Sequence, residues 1–363
     1  MTKKFLFDSF LETLAKEPNK IFVADEQRKW LKIDLMTARD DWQCLFEEYG
    51  LKSLGDVYYF KMPNNNSPVE YYIHEIQKGL LMFFSLSRRE EYNSTLRPFV
   101  KHTSGITQMW LPYETFESAI NFIKSTYDAN IYSFTARRLW SSKFPAKRRS
   151  DTSRSIHYSG DDAGHSLKEL REIYGVLPTS VDFQIDSDKI RITNDGFFLI
   201  RNINRDILRI VGEIIDKVIA EPIRLRDIST KVDISKKDEW NTFKISKLMS
   251  GKINFNAKLS SSLVDQLFRS FKDEEVGRTE EGIELPNFSF IDTNLSDDSM
   301  HYSATVVDED KGTIFGISGN DNNLILVPKH RTTFESFINF YRLVNETIDQ
   351  SSNLYLFNES HIR

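Results

Sequence analysis

The octapeptide TFESAINF at 115–122 returns as TFESFINF at 333–340, seven of eight letters unchanged and more than two hundred residues further on. What flanks each copy constrains the fold more than the match itself. ITQMWLP (106–112) precedes the first copy and IYSF (131–134) follows it; NLILVP (323–328) precedes the second and NLYLF (353–357) follows it. Each copy therefore sits in a succession of strand, proline, helix and strand. Thr115 and Thr333 are placed to cap the helices, and apolar residues recur on one face behind them. That order predicts two related or adjoining halves, each with short strands packed by amphipathic helices. A capping Thr before an amphipathic turn is also a common solution reached by chance, and elsewhere the halves do not align.

At 363 residues the chain is long enough for two domains. A hydrophobic share of 40%, with 13% aromatic, excludes wholesale disorder. The formal charge of −5 creates no global field for polyanions, so affinity for nucleic acid needs a local patch. The single Cys44 excludes an internal disulfide and a multi-cysteine zinc site. Within DDWQCLFEEYG it reads as a small packing residue on a helix, and one cysteine in so long a chain fits a reducing compartment. MTKKFLFDSFLETLAKE has charges through its apolar residues, unlike a signal peptide, and GLLMFFSLS is too short to span a bilayer. The expectation is a cytoplasmic protein with no membrane partner.

Periodicity predicts a helix from Phe5 to Lys16, a strand over 21–25, a helix over 33–48 and a strand over 56–62. VEYYIHEIQKG reads as a helix closed by Gly79, and LLMFFSLS as a buried strand. SVDFQID, KIRIT and GFFLI read as three strands with turns at Asp186–Asp188 and Asn194–Gly196. A helix carrying Ile203, Ile207, Ile210, Ile214 and Val218 follows. Residues 261–271 suggest another helix, 272–286 an exposed acidic loop, and 303–328 an antiparallel meander. The fold class is α+β (mixed α/β), with the meander in the C-terminal half. Three regions are expected: an N-terminal α/β domain (1–136), a basic linker or loop (137–179), and a C-terminal α+β domain (180–363).

The basic stretch holds the most unusual composition. Arg137, Arg138, Lys143, Lys147, Arg148, Arg149 and Arg154 face a single acid, Asp151, and Trp140, Phe144 and Tyr158 are interleaved with them. Phosphates call for cations presented together, and bases call for flat faces. The stretch predicts contact with nucleic acid, Arg137, Arg138, Trp140, Lys143, Lys147, Arg148, Arg149 and Arg154 supplying the surface. A solvated linker, or a strip that docks on an acidic protein face, accounts for the same charges.

Directly after it come His157, Asp161, Asp162 and His165. Imidazole and carboxylate together suit a divalent metal ion, and a cation beside a phosphate-binding strip suits phosphodiester hydrolysis. Capping of a helix near Ser166 by Asp161 or Asp162 explains the same letters. Walker, dinucleotide, zincin and nucleophile-elbow signatures are absent from the sequence. The leading expectation is a nucleic-acid-binding or acidic-partner-binding protein. The alternatives are a metal-dependent phosphodiesterase or nuclease, and a structural subunit of a complex in a setting such as prokaryotic defence.

Overall fold

The structure is a computed structural model and describes residues 6–22, 30–65, 67–142, 144–219, 232–237, 240–245, 249–256, 258–260, 263–264, 285–296, 301–329, 332 and 334–358. The fold is mixed α+β: seven α-helices and antiparallel sheets lie among these residues. The chain divides into two compact units, Met1–Glu221 and Pro222–Arg363.

In the first unit α1 (Phe7–Lys16) leads to β1 (Leu31–Ala38), a 3-10 helix (Trp42–Tyr49), and β2 (Lys52–Ser53), β3 (Val57–Met62), β4 (Val69–Gln77) and β5 (Leu80–Ser85). Two short helices, α2 (Arg89–Ser94) and α3 (Leu96–His102), precede β6 (Ile106–Gln108), α4 (Tyr113–Tyr127) and β7 (Asn130–Arg138). Then come β8 (Arg154–Ser159), α5 (Ala163–Tyr174), β9 (Leu177–Ile185), β10 (Asp188–Thr193), β11 (Phe197–Ile200) and α6 (Arg205–Ile214). All eleven strands form one sheet in the order β2-β3-β4-β5-β1-β11-β10-β9-β7-β8, with β6 beside β1.

Alternation along the strands sends Phe60, Tyr71 and Phe83 into a buried cluster with Trp42, Phe46 and Leu96. Tyr72 and Phe84 point the other way, where the Phe10 ring of α1 meets Phe84 edge-on at 5.3 Å. Both sides of this half are thus covered. In the other half, the Phe134, Val181, Phe183, Ile190 and Ile192 side chains are buried. A Cβ at Gly164 of α5 would stand 3.8 Å from Ile131 Cβ, which places α5 over that apolar face.

Several local expectations are corrected. VEYYIHEIQ is β4, not a helix: its spacing fits either period, but β3 and β5 pair with it along its length, and Gly79 (φ +74°) turns the hairpin into β5. Residues 33–48 divide into the central strand β1 and the 3-10 helix. Covered on both faces, β1 has no polar alternation to reveal it. Ile21 and Phe22 lie in a turn, and the rest of 21–25 falls outside the described residues. Cys44 is exposed, with Arg39 Nη2 2.6 Å from its sulfur, and is no packing residue. The unit boundary falls at Glu221/Pro222, because 137–179 is no linker: its strands pair within the sheet.

The second unit contains a hairpin of β12 (Val232–Lys237) and β13 (Trp240–Ile245), then β14 (Met249–Asn254), β15 (Phe288–Leu295), β16 (Tyr302–Asp308), β17 (Thr313–Gly319), β18 (Asn323–Pro328), α7 (Phe334–Thr347) and β19 (Asn353–Asn358). Its six-stranded sheet runs β15-β16-β17-β18-β14-β19, the predicted meander forming one side. Phe337 and Phe340 of α7 pack on Phe315, with ring centroids 5.5 and 5.3 Å apart. The expected helix at 261–271 and the acidic loop at 272–286 lie almost wholly outside the described residues.

Both octapeptide copies open helices between strands, yet the surrounding sheets differ. β18 and β19 each run antiparallel to β14 and so parallel to each other. β6 and β7 are separated by an odd number of antiparallel steps, through β1, β11, β10 and β9, and so run opposite ways. Thr115 is not the cap it was expected to be, since α4 begins at Tyr113 and Pro112 holds the N-cap position. Thr333 lies outside the described residues.

Candidate nucleic-acid interface

The basic stretch separates into residues that build the fold and residues that the fold presents. Arg138 ends β7 and is 1% exposed. Its Nε donates to the Ser150 carbonyl at 3.1 Å. Nη1 reaches Phe144 O at 3.0 Å and Gly175 O at 3.1 Å, and Nη2 reaches Ser142 O at 2.8 Å and Ser150 O at 2.9 Å. A guanidinium has five N–H donors, and all five here meet main-chain carbonyls. Burial, and then the charge of Arg154, lower its pKa, but the carbonyl ring supports the cation. The expectation that Arg138 contacts phosphate is therefore corrected: it is a clamp inside the loop that joins β7 to β8.

Arg154 stands directly across β8 from Arg138, and its guanidinium lies 4.4 Å from the centroid of the Tyr174 ring of α5. Arg137 is buried at 8% exposure on the opposite sheet face. Neither is presented with the loop. Lys143 lies outside the described residues.

What the clamp holds outward is Trp140, 48% exposed, and the consecutive exposed cations Lys147, Arg148 and Arg149. The Arg148 amide donates to Ile173 O at 2.9 Å, which fastens the loop to the end of α5. Arg149 takes a left-handed backbone conformation (φ +50°), uncommon for a side-chain-bearing residue, one position before the carbonyl that Arg138 grips twice. Phe144, Pro145, Ala146 and Lys147 of the loop, with Lys168, Arg171 and Glu172 of α5, line a groove of about 580 Å³. Arg171 is committed to a bidentate pair with Glu117 and packs 5.2 Å from the rings of both Tyr113 and Phe144. Lys147 meets Glu172 loosely at 3.5 Å, and Lys168 is exposed. Sequence reasoning missed Lys168, which joins the groove only because α5 folds beside the loop.

The four expected metal ligands do not converge. His157 and Tyr158 are neighbours on β8 and point to opposite faces. His157 Nδ1 is 3.3 Å from Thr135 Oγ1 on one face, while Tyr158 donates to Asp162 Oδ1 at 2.7 Å on the other. Asp162 also accepts from Ser166 Oγ at 3.3 Å, and the Tyr158 bond is the main reason its carboxyl titrates below the usual range. Asp161 and His165 are exposed. Among the described residues no three His, Cys, Asp or Glu side chains gather to hold a metal ion. Among them, too, no helix is long and apolar enough to cross a membrane.

Comparison with known proteins gives two matches and no function. The family model AF_0896_M, described as a family middle domain, matches residues 114–194, a stretch from α4 through β10 that contains the clamped loop. An uncharacterized protein of Archaeoglobus fulgidus is 23% identical over 344 residues, covering 91% of this chain and 86% of that protein. No solved structure matches significantly, so the chain is similar to one archaeal protein along nearly its whole length and to one family over its middle.

Proposed function

We propose that the protein binds nucleic acid through the loop between β7 and β8 together with α5. Lys147, Arg148, Arg149 and Lys168 supply phosphate contacts, and Trp140 supplies a stacking surface. The observation that carries this reading is the Arg138 clamp. It commits one buried arginine to hold the loop from which Lys147, Arg148 and Arg149, three cations in a row, face solvent. A loop fixed before binding loses less entropy when it meets a polyanion than a mobile tail does. The cytoplasmic setting expected from the lone Cys44 fits such a role.

Fluorescence anisotropy with labelled single- and double-stranded RNA and DNA, across a salt series, tests the reading. The comparison is between wild type and Lys147→Glu, Arg148→Glu, Arg149→Glu. Salt-sensitive binding is expected, reduced by more than about tenfold in the variant, because each neutralised phosphate releases condensed counterions. Equal binding by both proteins would remove the loop from the interface. Absence of binding to all four probes would reject nucleic acid and turn the same cations toward an acidic protein face.

A further inference from the structure

The second face of the β7–β11 half carries a different set of cations, which no run of basic letters announces. Registers place Ser133, Asp182, Arg191, Leu199 and Lys32 opposite one another across β7, β9, β10, β11 and β1. Directly opposed residues share a face, so this is one rung of side chains on the side away from Phe183 and Ile190. The next rung continues the same registers through Gln184, Lys189, Arg201 and Trp30; the Arg201 amide donates to Lys189 O at 3.3 Å. Along β9 and β10 the sides alternate, Val181, Phe183, Ile190 and Ile192 facing one way and Asp182, Gln184, Lys189 and Arg191 the other.

Two aromatic rings stand among these cations. Lys189 Nζ lies 4.4 Å from the centroid of the Tyr132 ring, and the Arg201 guanidinium lies 4.9 Å from that of Trp30. Trp30 is 46% exposed, and Tyr132, Lys189 and Arg201 are half-buried. Asp182 is the one carboxylate on the two rungs, and it is already taken: Arg191 donates to it through Nε at 2.7 Å and Nη2 at 2.8 Å. The face is therefore cationic and aromatic, and as a sheet surface it is too broad and shallow for a small molecule.

We propose that this sheet face binds single-stranded nucleic acid, with phosphates on Lys189 and Arg201 and bases stacked on Trp30 and Tyr132. A strand whose bases are unpaired offers both things the face can hold, a line of anionic groups and flat rings. A duplex hides its base faces and offers only the phosphates. An acidic protein segment has the charges without the rings. The site stands on residues of its own and does not depend on the clamped loop, which lies on the α5 side of the sheet.

The test uses the full chain, labelled poly-U and poly-dT strands, and a duplex of equal length, by anisotropy across a salt series. Trp30→Ala is expected to weaken single-strand binding at least about fivefold, with duplex binding unchanged and Trp30→Phe retaining most of the affinity. Lys189→Gln with Arg201→Gln is expected to lower the single-strand salt slope by about 1.4, or about 0.7 for each phosphate no longer neutralised. The inference is overturned if neither variant changes single-strand binding, if duplex binding falls by the same factor, or if poly-glutamate displaces poly-U as well as unlabelled poly-U does. Loss of duplex binding in the Lys147→Glu, Arg148→Glu, Arg149→Glu variant alone would uphold the loop and overturn the sheet face. Loss of single-strand binding in the Trp30 and Lys189/Arg201 variants alone would do the reverse.

Discussion

Arg138 Nη1 lies 3.1 Å from the carbonyl oxygen of Gly175, and a Cβ added to Gly175 would run into that same nitrogen. The two residues are 37 apart in sequence. One ends the strand that enters the basic loop, and the other closes the helix beside it in the left-handed conformation (φ +63°). The contact converts a charged stretch into a loop of defined shape.

Gly175→Ala is accordingly expected to be costly for two separate reasons. The left-handed backbone costs an alanine about 1–2 kcal/mol. Its methyl would also press on Pro145 O, 2.7 Å from the Cβ position, and on the Arg138 guanidinium. A total loss of about 2–4 kcal/mol in urea unfolding is expected. A loss below about 1 kcal/mol would mean that the loop moves aside cheaply and is not clamped.

Arg138→Lys keeps the charge but has three donors on a flexible stem in place of five in a plane. At least one of the four carbonyls would lose its partner, at about 1–3 kcal/mol for each buried group left unsatisfied. The variant should unfold about 1–3 kcal/mol more easily. Its binding to nucleic acid should weaken with no change in salt slope, because the replaced residue touches no phosphate. A slope that fell by about one unit would instead make Arg138 a phosphate ligand.

Glu172→Gln should act in the opposite sense. The Lys147–Glu172 pair spans 3.5 Å between side chains that are 72% and 55% exposed, so it contributes well under about 1 kcal/mol to folding. Removing the acid leaves stability within about 0.5 kcal/mol of wild type and frees Lys147 for phosphate. Duplex affinity should rise and the salt slope steepen by up to about 0.9. Unchanged affinity would show that Lys147 does not touch the ligand.

These relationships differ in how far the sequence could reveal them. The hairpins over 180–200 and the C-terminal meander were legible because apolar residues alternate cleanly and Asp, Asn or Gly mark the turns. β1 and β4 were misread because a central strand buried on both faces loses alternation, and because Val69, Tyr72, Ile73 and Ile76 fit a helix as well as a strand. The basic run drew attention to the correct loop, but the fates of its arginines depend on parity along β7 and β8. Arg138 and Arg137 are adjacent letters on opposite faces. Lys32 and Arg201 lie apart in the sequence from Lys189 and Arg191 of β10, and only strand pairing brings them to one face.

The last expectation concerns pH and the second unit. Asp308 closes β16, accepts from the Lys311 amide at 3.0 Å, and is buried with Lys311 in the turn to β17. Burial raises its pKa to about 6, and burial also lowers Lys311 to about 8. Each group thus resists ionisation in the fold, with mutual attraction offsetting part of the desolvation. The sign follows from proton counts. Between the ordinary carboxyl value of 3.8 and about 6 the folded state holds a proton that the unfolded chain has released, so this site loses stability as pH rises through that window. Between about 8 and the ordinary 10.5 the unfolded chain holds the Lys311 proton and the folded state does not, so stability returns as pH rises. Asp308→Asn removes the first effect while keeping the shape. Its stability relative to wild type should therefore increase between pH 4 and pH 7, by on the order of 3 kcal/mol at most. Urea midpoints for the two proteins at several pH values measure that difference directly. A flat difference across the window would mean that Asp308 titrates as an ordinary carboxylate and that Lys311 fully compensates its burial.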